Sequence, residues 1–415
     1  MTRNVIASEG HGAARTTEQA RIGINGLFLA LGKMAGMETY LRAMVRELPA
    51  LDPAVAYLLF TERNNAGSFG VGGCSNVREV VCHIPSVADR RAMWATRLAY
   101  EYARLPTQAR RQTIDVLFSP AFIGPAHPQY TSVITIHDTQ HEDLPENFGA
   151  LDRALFTRLL RRSVRSAAHI FTPSEHAKRR IAAVYQVPAE RITVTYNAPD
   201  LVYFARVPRE EIARVRDVYG LHTPYILSVA TLLPHKNLDA LIAVYAALRQ
   251  RGETDAQLVL VGLRSVAAGP LEARIQSAGL GGQVILTGWV PDTDLPALYQ
   301  GAAAFVLPSR YEGFGLPVLE AMASGVPVVT TTATALPEVA GDAALLVDPD
   351  DRAGMAAALG RLLGDEALRA EMIGRGTERA RQFTWRKTAE LTLTTLLRVS
   401  RDCPPRIGAR QSPDD

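Results

Sequence analysis

Apolar positions along this chain alternate between two spacings. Short β-branched runs of four or five residues recur, separated by stretches with an apolar residue every third or fourth position. Arg21–Asn25 (RIGIN) reads as the opening strand. Met37–Leu48, apolar at 37, 40, 41, 44, 45 and 48, reads as the helix after it. Ala56–Phe60, Asp115–Ser119, Ser132–Ile136, His169–Thr172 and Ile192–Thr195 continue the strand series, and Ser174 sits where it would cap a helix over 175–185. The second half starts over with strands at Tyr225–Val229, Gln257–Val261, Val284–Thr287, Ala304–Leu307, Val328–Thr331 and Ala344–Val347. This alternation predicts parallel sheets with covering helices. A Pro-containing stretch over 199–224 separates the halves and reads as a linker. The expectation is an α/β protein of two Rossmann-like domains, 21–205 and 206–385. A helix over 386–401 would pack back on the first domain, and the polar tails at 1–20 and 402–415 would be disordered. A ligand of such a pair belongs in the crevice at the carboxyl ends of the strands.

Composition narrows the classes. At 415 residues, 47% hydrophobic and 21% charged, the chain is ordinary globular material for two or three domains. Lys+Arg 45 against Asp+Glu 42 leaves a net charge of +3, which does not argue for a nucleic-acid partner. Three cysteines (Cys74, Cys82, Cys403) are odd in number and form no C-x-x-C, which speaks against a disulfide scaffold or zinc ribbon and for a reducing compartment. The first residues lack an apolar signal core, and the charge-free stretches 275–291 and 321–337 are Gly-rich or broken by Pro327. The expected setting is cytoplasmic.

The most informative segment is PSRYEGFGLPVLEAMASGVPVVTT, residues 308–331. A strand ends in a loop holding Glu312, Gly313, Phe314 and Gly315, and Pro317 follows where a helix should begin. Glycines allow close backbone approach, and the amides at the helix start offer positive potential to an anion. Glu320 lies eight residues after Glu312, near enough to share a ligand with it. A plainer reading is that the glycines shape a turn and Glu320 complements the helix dipole. Lys236 follows Tyr225–Val229 in the loop TLLPHKN, where a cation could neutralise a leaving diphosphate, although a surface lysine is more often merely solvated. Asn237 is the expected cap of the next helix.

Residues 308–331 resemble the E-x7-E signature of retaining glycosyltransferases of family 4. The likeness runs over about residues 21–400, with supporting stretches SVATLLPHKN (228–237), ALPEVAGDAALLVDP (335–349), PSEHA (173–177) and ITVTYNAPD (192–200). It implies the GT-B fold, two facing Rossmann-like domains with a cleft between them. It also implies that Glu312 contacts donor-sugar hydroxyls and that Glu320 holds the nucleotide ribose. The amides of Gly313, Phe314, Gly315 and Leu316 would take sugar and diphosphate oxygens, and Lys236 would face the phosphates. The family commonly adds an arginine beside or just upstream of this lysine. Here those places hold Ala230, Thr231 and His235, and His235 is the substitute, only partly charged at neutral pH. His137, in the H-D pair ending SVITI, matches a family histidine near donor sugar and acceptor; the alternative is a structural histidine bonded to a neighbouring loop. Gly36 in GKMAGMETYL resembles the glycine loop by which the first domain approaches the phosphates, with one glycine in place of a pair.

Asp292-Thr293-Asp294 spells D-x-D, but its position before Leu295–Gln300 reads as a helix cap rather than a metal site. His141 and His127 show no metal-ligand spacing and read as surface histidines. Arg90–Arg111 and Asp152–Arg165 are basic stretches interleaved with apolar residues, either solvated helix faces or contacts with the inner face of a membrane. The resemblance implies a metal-independent hexosyltransferase with no cofactor. Its partners would be a nucleoside diphosphate sugar, GDP-mannose first, and an acceptor on a glycan, lipid-linked sugar or small molecule. The rival readings are a nucleotide-sugar epimerase, another GT-B-type enzyme, or a non-catalytic sugar-nucleotide-binding protein. No G-x-G-x-x-G supports a dinucleotide dehydrogenase.

Overall fold

The computed structural model describes residues 19–402 apart from Lys33, 85–89, 126–129 and 264–267. His127 and nearly all of both predicted tails lie outside the described residues. The first sheet contains β1 (Arg21–Asn25), β2 (Ala56–Glu62), β3 (Val77–Cys82), β4 (Val116–Ser119), β5 (Thr131–Thr135), β6 (His169–Thr172) and β7 (Ile192–Val194). They lie in the order β3-β2-β1-β4-β5-β6-β7, every neighbouring pair parallel. The second sheet contains β8 (Tyr225–Val229), β9 (Gln257–Val261), β10 (Val284–Gly288), β11 (Ala304–Leu307), β12 (Val328–Thr331) and β13 (Leu345–Val347), in the order β10-β9-β8-β11-β12-β13, again parallel. In each sheet the chain winds outward from its first strand, then returns to the other side. That reversal opens a crevice between β1 and β4 and another between β8 and β11.

The central strands β4, β5, β6, β11 and β12 are buried at every residue, because helices cover both faces. They therefore show no apolar–polar alternation, and their sequences are short apolar or β-branched runs with buried Ser, Thr or His at several positions. β3 was not anticipated: VREVVC lies at the sheet edge, mostly half-buried or exposed, and carries no clean alternation. The expected linker is also partly folded. Within it, helix Arg209–Val218 buries Val215 and packs on helix Leu295–Gln300.

Helix Trp385–Asp402 leaves the second domain and packs on helix Ala35–Leu51 and on β4 and β5 of the first. Its buried residues Trp385, Thr388, Ala389, Thr392, Leu396 and Val399 recur at helical spacing. The Trp385 ring lies 6.1 Å from that of Tyr40. Thr388 donates a hydrogen bond to the Tyr196 carbonyl. The chain thus crosses between domains twice, just after β7 and just before Trp385, and the crossings touch. Tyr196 meets Phe383 edge-on at 5.5 Å, and Phe314 lies 6.3 and 6.0 Å from those two rings.

Candidate active site

Because β8 and β11 are neighbours, the loops leaving them meet although their residues lie far apart in sequence. Lys236 Nζ donates to both carboxylate oxygens of Glu312, at 2.7 and 2.8 Å. Ser309 Oγ donates to the same Oε1 at 2.7 Å. The lysine and glutamate side chains are 17% and 12% exposed, so the pair is largely shielded from water. The Thr334 hydroxyl accepts from the Glu312 amide and donates to its carbonyl, both at 2.9 Å, fixing the backbone there. Asn237 does not cap its helix as expected. Its backbone is left-handed (φ +58°), and its Nδ2 instead donates to the carbonyls of Pro308 and Pro349, at 3.1 and 2.9 Å. It clamps the Lys236 loop to the Glu312 loop.

The segment 313–316 combines backbone freedom with unused donors. Gly315, at φ +103°, precedes helix Leu316–Ala323, and a Cβ there would sit 2.7 Å from Leu336. A Cβ on Gly313 would sit 2.5 Å from the His137 carbonyl oxygen, so only glycine lets the two domains close to this distance. Among the described residues none of the amides of Gly313, Phe314, Gly315 and Leu316 donates a hydrogen bond to a protein group. Such adjacent unsatisfied N–H groups form a cradle for an anion. The Phe314 side chain takes no part in it, being buried among the aromatic rings at the crossings.

Glu320 lies one turn into the helix, and Tyr299 donates to its Oε2 at 2.8 Å. The Tyr203 ring stands edge-on to Tyr299 at 5.5 Å. Burial pushes the Glu320 carboxyl up to about 7, the Tyr299 hydrogen bond opposing and the charge of Asp292 reinforcing that shift. A carboxylate held in this way can accept two hydrogen bonds from a vicinal diol.

His137 follows β5 and is buried, with Nε2 bonded to the Pro120 carbonyl at 2.9 Å and the rings of Tyr40 and Phe122 edge-on at 5.3 and 5.6 Å. Burial pushes its pKa down to about 4, so the ring is neutral at pH 7. With Nε2 donating to a carbonyl, Nδ1 remains as an acceptor. Gly36, in the first turn of helix Ala35–Leu51, faces open space: a Cβ there would meet no atom within 4 Å.

His235 departs from expectation. It is buried, Gln140 Nε2 lies 2.8 Å from its Nδ1, and Asn147 Nδ2 lies 3.3 Å from the same atom. Burial, then the neighbouring Lys236 charge, push it down to about 4. The ring is therefore neutral and joins the domains. It cannot replace a phosphate-binding arginine. His141 is no surface residue either, being buried with Nε2 2.8 Å from the Tyr185 hydroxyl. In the D-x-D segment, Asp294 makes no cap bond; its carboxylate receives Arg214 at 2.6 Å and the Tyr219 hydroxyl at 3.2 Å.

Several contributors were not found from the sequence, because their partners lie in the other domain. Tyr311 accepts from the Thr139 amide at 3.1 Å and donates to Asp143 at 3.0 Å. Ser174 caps its helix as expected, accepting from the Ala177 amide at 3.0 Å, and also donates to the Gly313 carbonyl at 2.8 Å. The Glu338 carboxylate accepts from the amides of Glu175 and His176, at 2.7 and 3.1 Å. Asp138 is half-buried within the electrostatic reach of Lys236 and Glu312, and desolvation raises its carboxyl above the usual range.

Two parallel-sheet domains meeting over a Lys–Glu pair, an amide cradle and a second carboxylate define a GT-B glycosyltransferase. Residues 34–203 match Glycosyltransferase Family 4, and residues 213–379 match the group 1 glycosyl transferases. The chain belongs to this family of glycosyltransferases, of the family 4 type. It is 34% identical over 305 residues to O-antigen chain mannosyltransferase B of Escherichia coli, covering 73% of this chain and 76% of that one. It is 32% identical over 241 residues to the serotype-specific mannosyltransferase WbdA of Escherichia coli, covering 56% of this chain but only 29% of that longer protein. Sucrose-phosphate synthase from Thermosynechococcus elongatus has the same fold, with a TM-score of 0.72 at 20% identity over 91% of this chain and 98% of that one. So has Anabaena HepE, solved with UDP and glucose, with a TM-score of 0.70 at 18% identity over 92% and 100%.

Proposed function

We propose that this glycosyltransferase retains anomeric configuration, needs no metal, and moves mannose from GDP-mannose to an acceptor hydroxyl on a glycan, lipid-linked sugar or small molecule. The observation that carries this reading is the Gly313–Leu316 amide cradle beside the Lys236–Glu312 pair. Four amides and one ammonium supply the positive potential a departing diphosphate requires. The mannosyltransferase names of the two Escherichia coli relatives support the sugar.

Glu312 and Lys236 neutralise one another in the ligand-free protein. A bound diphosphate competes for the ammonium, releasing carboxylate oxygens to accept hydroxyls of the donor sugar. His137 Nδ1 would accept a further sugar hydroxyl. With Glu312 assigned to sugar hydroxyls and Asp138 bonded to the Gln140 amide, neither carboxylate is assigned as a nucleophile, which favours front-face attack. The bond from C1 to the β-phosphate oxygen breaks, with its electron pair leaving on that oxygen. The acceptor oxygen bonds C1 on the same face, and its proton passes to the departing phosphate oxygen.

A thermal-shift panel of UDP, GDP, dTDP and ADP sugars tests the donor, because a ligand raises the melting temperature by mass action. GDP-mannose should give the largest shift. NMR of the product should show the donor's anomeric configuration, and activity should survive EDTA. Inversion, or full loss on chelation with recovery on added manganese, would refute the corresponding part of the reading. An epimerase would convert the donor sugar without an acceptor, which the same incubation reveals.

Peripheral membrane contact belongs to this proposal. No helix among the described residues is long and apolar enough to cross a membrane. Helix Ala150–Ser166, however, exposes Leu151 (82%) and Leu155 (42%), followed by Arg158, Arg162 and Arg165 along the same face. Apolar residues and arginines on one face suit an anionic lipid surface. Sedimentation with phosphatidylglycerol vesicles but not with phosphatidylcholine is expected, and Leu151→Ser with Arg158→Ser should abolish it. Equal recovery with both lipids would overturn this part.

A further inference from the structure

We propose that Ser174, in the N-terminal domain, is a positioning residue that aims the donor-binding amide of Phe314 in the C-terminal domain. This rests on the reading of 313–316 as the donor cradle. The Ser174 hydroxyl is fully buried and does two things at once. It accepts from the Ala177 amide at 3.0 Å, capping helix Glu175–Tyr185, and it donates to the Gly313 carbonyl at 2.8 Å. The helix bond uses a lone pair on the hydroxyl oxygen and leaves its proton for the other domain.

The Gly313 carbonyl and the Phe314 amide belong to one peptide plane. The chain has no cis peptide bonds among the described residues, so within that plane the C=O and N–H point in opposite directions. Holding the carbonyl on Ser174 turns the Phe314 N–H away from the N-terminal domain helix. That N–H makes no hydrogen bond among the described residues, although Phe314 is buried. A backbone amide without a protein partner is left for a ligand or solvent acceptor. Glycine at 313 makes the arrangement necessary as well as feasible. It allows the two domains to meet at the His137 carbonyl, and its own peptide is the one most free to rotate if nothing restrains it. Closure therefore does more than shut out water. It supplies the hydrogen bond that orients a donor-facing amide, so the cradle is complete only when the domains meet.

The test compares Ser174→Ala, Ser174→Gly and Ser174→Thr in the full chain. Glycine is nearly as good a helix cap as serine and is uncharged, so Ser174→Gly removes the interdomain proton while sparing the helix. Thr keeps both functions. Removal of an aligned oxyanion donor costs about a hundredfold or more in kcat, so loss of its alignment in the Ala and Gly variants should lower kcat by about tenfold or more. Affinity for the free nucleoside diphosphate, measured by calorimetry, should change less than threefold in the ratio, roughly what an untouched Lys236 and Glu320 would give. Ser174→Thr should restore turnover. Near-normal kcat in Ser174→Gly, with only a lowered melting temperature in Ser174→Ala, would make Ser174 a helix cap alone and overturn the inference. Should Ser174→Thr prove unstable, the Ala and Gly pair still decides it. If the wild-type chain neither binds nor turns over any nucleotide sugar, the cradle reading itself fails, which is a different outcome.

Discussion

Lys236 and Glu312 hold each other in the ligand-free protein. On the proposed function the lysine faces charge that grows as the leaving group departs, so its contribution would be larger in the transition state than in the bound donor. Lys236→Ala should lower kcat by about a hundredfold or more, with a smaller effect on donor binding. Glu312→Gln should blur discrimination between epimeric donor sugars while leaving affinity for the bare nucleoside diphosphate nearly intact. Normal turnover in Lys236→Ala would require the phosphates to be neutralised elsewhere, and His235, neutral and occupied, is not available for it. Glu320 adds a pH signature. Its carboxyl is pushed up to about 7 mainly by burial, yet accepting two ribose hydroxyls needs the ionised form. Nucleotide affinity should therefore weaken as pH falls from 8 to 6, with proton release on binding at pH 7. Glu320→Gln should flatten that dependence and weaken binding by about 1–3 kcal/mol. Calorimetry in buffers of different ionisation enthalpy checks both points. Of these residues, Lys236, Glu312 and Glu320 were legible because they lie in short contiguous motifs with a chemical rationale for each position. Ser174 was legible only as a cap, since its second partner lies 139 residues away.

At the scale of elements, the parallel strands were readable because they are short apolar and β-branched runs that recur between helical stretches. β3 was not, because an edge strand with half-exposed side chains resembles a loop. Caps were the least readable feature. Asn237 and Asp294 both occupy the residue before a helix, yet neither bonds its first amides. A tertiary partner outcompetes the local one in each case: two carbonyls for Asn237, and Arg214 with Tyr219 for Asp294. The Asn237 clamp makes its own prediction. Asn237→Gly keeps the left-handed backbone without strain and removes both hydrogen bonds, so it should cost about 1–3 kcal/mol of stability by leaving the buried Pro308 carbonyl and the half-buried Pro349 carbonyl unsatisfied. It should also raise the donor KM as the Lys236 loop loosens. Denaturant titration together with steady-state kinetics checks this; an unchanged midpoint would mean that the loops hold together without it.

At the scale of the molecule, the contacts across the cleft are polar and specific rather than extensive. Glu338 reaches from the second domain to the start of helix Glu175–Tyr185, where two backbone amides receive it. A carboxylate there also meets the positive end of the helix dipole. Glu338→Ala should shift the ligand-free protein toward a more open arrangement, visible as a larger radius of gyration by small-angle scattering. Saturating donor should offset part of that change. An unchanged radius would assign the closed arrangement to the other cross-domain bonds.

The two touching chain crossings have a mechanical consequence. Tyr196, Phe314 and Phe383 cluster where both crossings pass, so this cluster is the natural pivot for any rotation of one domain against the other. In a lever, displacement grows with distance from the fulcrum. Phe314, at the fulcrum, adjoins the amides proposed to face the donor. A rotation about this cluster would therefore displace the 313–316 segment less than parts of either domain far from the crossings, although even a small opening would stretch the Ser174–Gly313 bond. On the proposed function, the cleft would then open widely to an acceptor while the segment assigned to the nucleotide moves little.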